Sequence, residues 1–205
     1  VFRYRSLDPD LQTVPTNTPV LLNAINDDTK ASGYYRVTLS GTAAPEKVVM
    51  LDKAFGAVTK AERADRFVFT LSRFDEFPNL WVSDANFGGM QQVSDANPQQ
   101  AEYLWGKSEL IEYVNADGVT LKAILTKPDN FDPTKKYPMM VYIYEELSQG
   151  LHRYSSPNVG TSVNLTRYVS NGYVVLQPDI IYTTGYPGED SEKCVIPAVN
   201  TVLEM

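Results

Sequence analysis

Only one cysteine, Cys194, and one histidine, His152, occur among the 205 residues. A single thiol excludes an internal disulfide and a zinc cluster built on paired cysteines. A single imidazole leaves very little room for a self-contained hydrolytic site, because a nucleophilic serine needs a histidine base. No run of 18 apolar residues is present, so no segment reads as a membrane span. Cations are few as well: 18 Lys and Arg stand against 25 Asp and Glu, a net charge of −7, with the acids scattered. An acidic chain without a basic patch is a poor candidate for binding nucleic acid. Val1 is followed by neither a basic n-region nor an apolar h-region, so any targeting segment is expected to lie outside these residues. The sequence also has no G-x-S-x-G, no H-E-x-x-H, no P-loop and no dinucleotide glycine motif. No cofactor and no metal are expected.

What is present is a globular share of apolar residues, 43 %, with 12 glycines and only 21 % charge. That is enough to bury a core and argues against wholesale disorder. From Val1 to about Pro98, short apolar runs alternate with Gly, Pro, Asn and Asp. Val20–Leu22, Tyr34–Leu39, Lys47–Leu51, Phe67–Leu71, Leu80–Val82 and Met90–Val93 are rich in β-branched and aromatic residues and too short for helices. Each predicts a strand. The runs also recur: Leu22 to Phe69 is 47 positions, Tyr35 to Trp81 is 46, and Val49 to Val93 is 44. Such a period, at about four strands per unit, is the spacing of propeller blades. An antiparallel meander of accidental regularity fits the periodicity equally well. Two blades cannot close a propeller in either case.

The pattern shifts at Asn97-Pro98-Gln99-Gln100, and a new one begins near Trp105. Leu110–Val114 and Val119–Leu125 alternate apolar and polar, and the Asp117-Gly118 step between them predicts a hairpin. Met139–Tyr144 is an unbroken apolar run, which predicts a strand buried on both faces of a parallel sheet. Leu165, Tyr168 and Val169 predict a short helix, capped by Thr161 or Ser162 and stopped at Asn171-Gly172. Tyr173–Leu176 predicts the next buried strand. Val195, Ala198, Val199, Val202 and Leu203 share one helical face, with Ser191 as candidate cap. Pro197 inside that stretch should kink the helix or delay its start. This order is an α/β layout whose next strand is expected after Met205.

Few residues carry chemistry on their own account. Ser148, Ser155 and Ser156 lie near His152 in sequence, but adjacency in a loop does not make a positioned hydrogen bond. His152 reads as a packing residue and Cys194 as a small core residue. Glu145-Glu146 is a carboxylate pair on adjacent positions, which point to opposite faces of a strand. Asp179 stands at the carboxyl end of a predicted strand, where site residues of open α/β sheets gather. Tyr144 stands where the first buried strand leaves the sheet, and a phenol there can donate to a developing oxyanion. As one of 13 tyrosines it fits equally a core or rim aromatic.

An ordered series of segments resembles the prolyl oligopeptidase family of serine peptidases. Asn115-Ala116-Asp117-Gly118-Val119-Thr120-Leu121, Lys127-Pro128, Phe131-Asp132-Pro133, Lys135-Lys136-Tyr137-Pro138 and Val141-Tyr142-Ile143-Tyr144 resemble the entry to the catalytic domain. Gly172-Tyr173-Val174-Val175, Pro178-Asp179 and Gly185-Tyr186-Pro187-Gly188 resemble its next strand and loop. Upstream, Asp75 to Asp84 resembles a late propeller blade, which tips the periodicity towards blades. The implied fold is mixed β and α/β. Residues 1–104 form partial β-propeller blades, and residues 105–205 form an α/β-hydrolase sheet truncated before the nucleophile elbow.

The resemblance implies a parent that hydrolyses peptides through an acyl-enzyme, with peptide as its substrate partner and export on family grounds. The Ser-Asp-His triad is expected outside this chain, which alone is then inactive. Tyr144 matches the family tyrosine whose hydroxyl forms half of the oxyanion hole. Small residues commonly follow that tyrosine in the family; here Glu145-Glu146 follow, which alters the loop. The competing expectation is a non-catalytic β-rich binding module that uses its open sheet edge or blade surface. Under either reading an inner strand left at the edge exposes unpaired backbone groups, so self-association of the chain is expected.

Overall fold

The structure, a computed structural model, describes residues 1–8, 10–160 and 162–205. It is rich in sheet and has few helices. Two compact units divide the chain: Val1–Pro98 with His152–Tyr154, and Gln99–Leu151 with Ser155–Met205.

The first unit holds two antiparallel sheets. One is the meander β1 (Phe2–Arg5), β2 (Pro19–Ile25), β3 (Ser32–Thr38) and β4 (Glu46–Leu51), in that order. The other contains β5 (Ala54–Phe55), β6 (Thr59–Lys60), β7 (Arg66–Ser72), β8 (Asn79–Asp84) and β9 (Gln91–Gln92). There β7 pairs with β8, and β5 and β6 both pair with β7. All six predicted runs coincide with strands to within a few residues. The three not predicted, β1, β5 and β6, are two to four residues long and carry too little pattern to be read.

Alternation turns one face of these sheets inward. Phe67, Phe69 and Leu71 of β7 meet Leu21, Tyr34 and Val49 in one buried cluster, joined by Phe87. Phe87 stacks on Tyr34 at 4.9 Å and meets Phe55, Phe67 and Phe69 at 5.1–5.9 Å. To reach that place it adopts φ 59°, a backbone state bulky residues avoid. Asp84 holds the turn: its Oδ1 accepts from Asn86 N at 2.8 Å and Gly88 N at 2.7 Å. Those two donors keep the Asp84 carboxyl below its ordinary pKa.

Among the described residues the second unit holds one sheet and two α-helices, with short 3-10 turns at Pro98–Glu102, where the unit begins, and at Ser148–Gly150. β10 (Lys107–Val114), β11 (Thr120–Lys127), β12 (Met139–Val141) and β13 (Val174–Pro178) lie in the order β10-β11-β13-β12. β12 and β13 are parallel, and the other pairs are antiparallel. The hairpin turn forms as expected, but on Asn115, whose Oδ1 accepts from Asp117 N and Val119 N. Gly118 takes φ +80° there, a state open to a residue without Cβ.

β13 is buried along its whole length. β12 corrects the prediction: it has three residues, all half-buried, and Ile143 and Tyr144 beyond it are 48 % and 65 % exposed. The reason is topological, since among the described residues β12 pairs with β13 alone. Tyr142 N extends that pairing by one bond, to Leu176 O at 2.9 Å.

The helices are α1 (Leu165–Ser170) and α2 (Pro187–Leu203). α1 is capped by Asn164, which accepts from Arg167 N, and not by Ser162; Thr161 lies outside the described residues. α2 begins four residues before the expected cap, with Pro187 at its first position, and Ser191 instead donates to Pro187 O inside it. Ala198, Val199 and Val202 pack on Ile111, Tyr113, Leu125 and Leu176, whereas Leu203 in the last turn is exposed. Pro197 neither delays the start nor ends the helix. The carbonyl it leaves without its helical donor, Lys193 O, accepts from Ala116 N of the hairpin turn at 3.0 Å.

Candidate functional site

β12 and β13 run parallel, so both carboxyl ends open on one end of the sheet, the usual place for a site in an α/β sheet. Two segments leave there: residues 142–151 after β12 and residues 179–186 after β13. They are stitched together. Asp179, buried at 8 % exposure, accepts from Leu147 N and Ser148 N at 2.7 Å each, and from Ser148 Oγ at 2.5 Å. Ile180 N donates to Glu145 O at 3.1 Å, and the Tyr182 hydroxyl donates to Tyr144 O at 2.6 Å.

Asp179 is itself anchored to the sheet. Its N–H donates to Lys122 O at 2.8 Å, and its carbonyl accepts the Tyr113 hydroxyl. Burial raises the Tyr113 phenol well above its ordinary pKa, with the neighbouring Cys194 and Asp179 adding to the effect. The shift favours the protonated phenol, the form that donates to the Asp179 carbonyl. Across the same end, Asp190 in the first turn of α2 is buried and accepts from Thr183 N.

Tyr144 rides on this framework with its carbonyl held and its side chain 65 % exposed. Glu145 and Glu146 beside it are both exposed. A fixed backbone bearing a free phenol can present a hydrogen-bond donor to an oxygen that acquires charge.

Asp179, singled out from sequence by position, lies in this cluster. Ser148 lies there too, bonded to Asp179 rather than to an imidazole. His152 belongs to the other unit, where burial, reinforced by Arg73, lowers its pKa. Cys194 is a core residue at 1 % exposure, next to Asn115 Nδ2 at 3.7 Å. Sequence reasoning missed Tyr113, Tyr182 and Asp190. Among the described residues, no group of three or more His, Cys, Asp or Glu is placed to hold a metal ion. No helix among them is long and apolar enough to cross a membrane.

No family model matches the sequence. The probable dipeptidyl-aminopeptidase B of Ajellomyces capsulatus (strain H88) is 35 % identical over 91 residues, 43 % of this chain and 9 % of that protein. The chain thus spans about a tenth of the length of the curated relatives it matches. Among solved structures, a putative dipeptidyl aminopeptidase IV from Bacteroides ovatus superposes with TM-score 0.63 at 19 % identity, covering 94 % of this chain and 29 % of its own. The acylaminoacyl peptidase of Pyrococcus horikoshii gives TM-score 0.61 at 13 % identity, covering 91 % and 29 %. At those identities the likeness is one of fold. Sequence match, fold and the ordered segments agree in their likeness to peptidases of the prolyl oligopeptidase family.

Proposed function

We propose that these residues are part of a serine peptidase that hydrolyses peptide bonds through an acyl-enzyme. In this reading residues 1–104 are propeller blades, and residues 105–205 open an α/β-hydrolase domain. Tyr144 supplies one hydroxyl of the oxyanion hole, and peptide is the substrate, as the name of the dipeptidyl-aminopeptidase relative suggests. The serine, aspartate and histidine of the triad come from residues outside this chain, and the 205 residues alone are inactive. The observation that carries the reading is Tyr144 itself: an exposed phenol on a loop fixed from β13, at the carboxyl end of the parallel pair.

The test is a fluorophosphonate serine probe, applied to the protein isolated from its natural source and to the 205 residues alone. The natural protein is expected to exceed 22.9 kDa and to label, and the isolated chain to stay unlabelled. In the labelled protein, Tyr144→Phe should lower kcat by about 100- to 1,000-fold, as loss of one oxyanion donor does elsewhere. A natural protein that neither labels nor cleaves peptides would leave a binding module as the better reading.

A further inference from the structure

We infer that Asp179 is a positioning residue for Tyr144, acting through the backbone of residues 144–148; this rests on the role proposed for Tyr144 above. The carboxylate takes three hydrogen bonds from one short stretch, two from adjacent backbone N–H groups and one from a hydroxyl. Bonds to a charged acceptor are roughly twice as strong as neutral ones. Asp179 cannot follow the loop if the loop moves, because its own N–H and carbonyl are tied to Lys122 and Tyr113. The next residues repeat the grip closer to the phenol, Ile180 on Glu145 and Tyr182 on Tyr144. Tyr182 is fixed in turn, its hydroxyl 3.2 Å from Ser191 Oγ on α2.

Removing the carboxylate leaves Ser148 N, buried with its residue, and Leu147 N without their acceptor. Buried donors do not stay unpaired cheaply, so the loop must shift to find others. Tyr144 is three residues from Leu147 and moves with it. A donor displaced by about 1 Å from a developing oxyanion can cost on the order of 100-fold in rate while binding is little changed.

A double-mutant cycle in the full-length peptidase tests this. Asp179→Ala should lower kcat by about 10- to 100-fold with KM changed less than about 3-fold. In a Tyr144→Phe background the same change should have no further effect on kcat, because the group it positions is gone. Asp179→Asn, which keeps an acceptor for the two N–H groups, should recover most of the rate. Equal losses in both backgrounds would overturn the inference, since a general structural role acts with or without the phenol. A Tyr144→Phe loss with Asp179→Ala unaffected would overturn the clamp alone, and a harmless Tyr144→Phe would overturn the oxyanion reading and the clamp together. If Asp179→Ala does not fold, Ser148→Ala and Tyr182→Phe put the same question. Their smaller losses should vanish beside Tyr144→Phe, and losses that persist there would count against positioning.

Discussion

The ring of His152 is half-buried, with Nε2 shielded from solvent and without a hydrogen-bond partner among the described residues. Burial disfavours the charged ring, Arg73 disfavours it further, and Asp52 only partly offsets them, so the pKa lies below its ordinary 6.5. The sign for stability follows. Below pH 6.5 the unfolded chain binds a proton that the folded chain refuses, so stability falls with acid until the folded-state pKa is passed. Asp84 acts in the same sense at lower pH, its depressed pKa giving stability that is lost as the carboxyl protonates. Urea titrations from pH 8 to pH 3 should therefore show a midpoint that begins to drop near pH 6.5. His152→Gln should flatten that first drop and leave the lower, carboxylate-driven one in place. A midpoint in the parent that does not move between pH 7 and pH 5.5 would contradict this account.

At the scale of elements, Pro197 shows how a local rule is met by a distant partner. A proline inside a helix costs about 3 kcal/mol when its ring strands the carbonyl four residues back. Here that carbonyl, Lys193 O, is bonded to Ala116 N, and the Lys193 side chain reaches Asp117 Oδ1 at 3.3 Å in the same turn. Pro197→Ala should then change stability by under about 1 kcal/mol, well short of the 3 kcal/mol that an unaccommodated proline implies. A gain near 3 kcal/mol in chemical unfolding would mean that the hairpin does not compensate. The same contrast marks what sequence can show. Phe67, Phe69 and Leu71 alternate so strongly that β7 was legible without its partners. The run Met139–Tyr144 misled because sheet order decides whether a strand is central, and no residue in the run records that order. The site divides likewise. Tyr144 was proposed from a family resemblance, and Asp179 was legible through its place after a strand. Tyr182 and Ser148 were not, because their partners stand 38 and 31 residues away, with no local pattern linking them.

For the whole molecule, the open flank of β12 sets the behaviour of the chain in isolation. Among the described residues Met139–Val141 is hydrogen-bonded on one side only, and the residues that continue it, Ile143 and Tyr144, are exposed apolar groups. Ile181 at 48 % and Tyr186 at 61 % exposure add apolar surface on the segment after β13. A strand edge beside such surface is a template for pairing with another chain. Two features oppose it: the edge is short, and the net charge of −7 repels a second copy. The balance favours a weak association that salt strengthens by screening the repulsion. Light scattering on the 205 residues should give a mass above 22.9 kDa at about 100 µM protein, a range where weak complexes of micromolar Kd populate. The excess should grow from low to physiological salt. Ile143→Lys places a charge beside the edge and should return the monomer mass without loss of folding. A parent chain that stays monomeric at that concentration and salt would show that three strand residues are too few to pair, and the self-association expected from the sequence would be withdrawn.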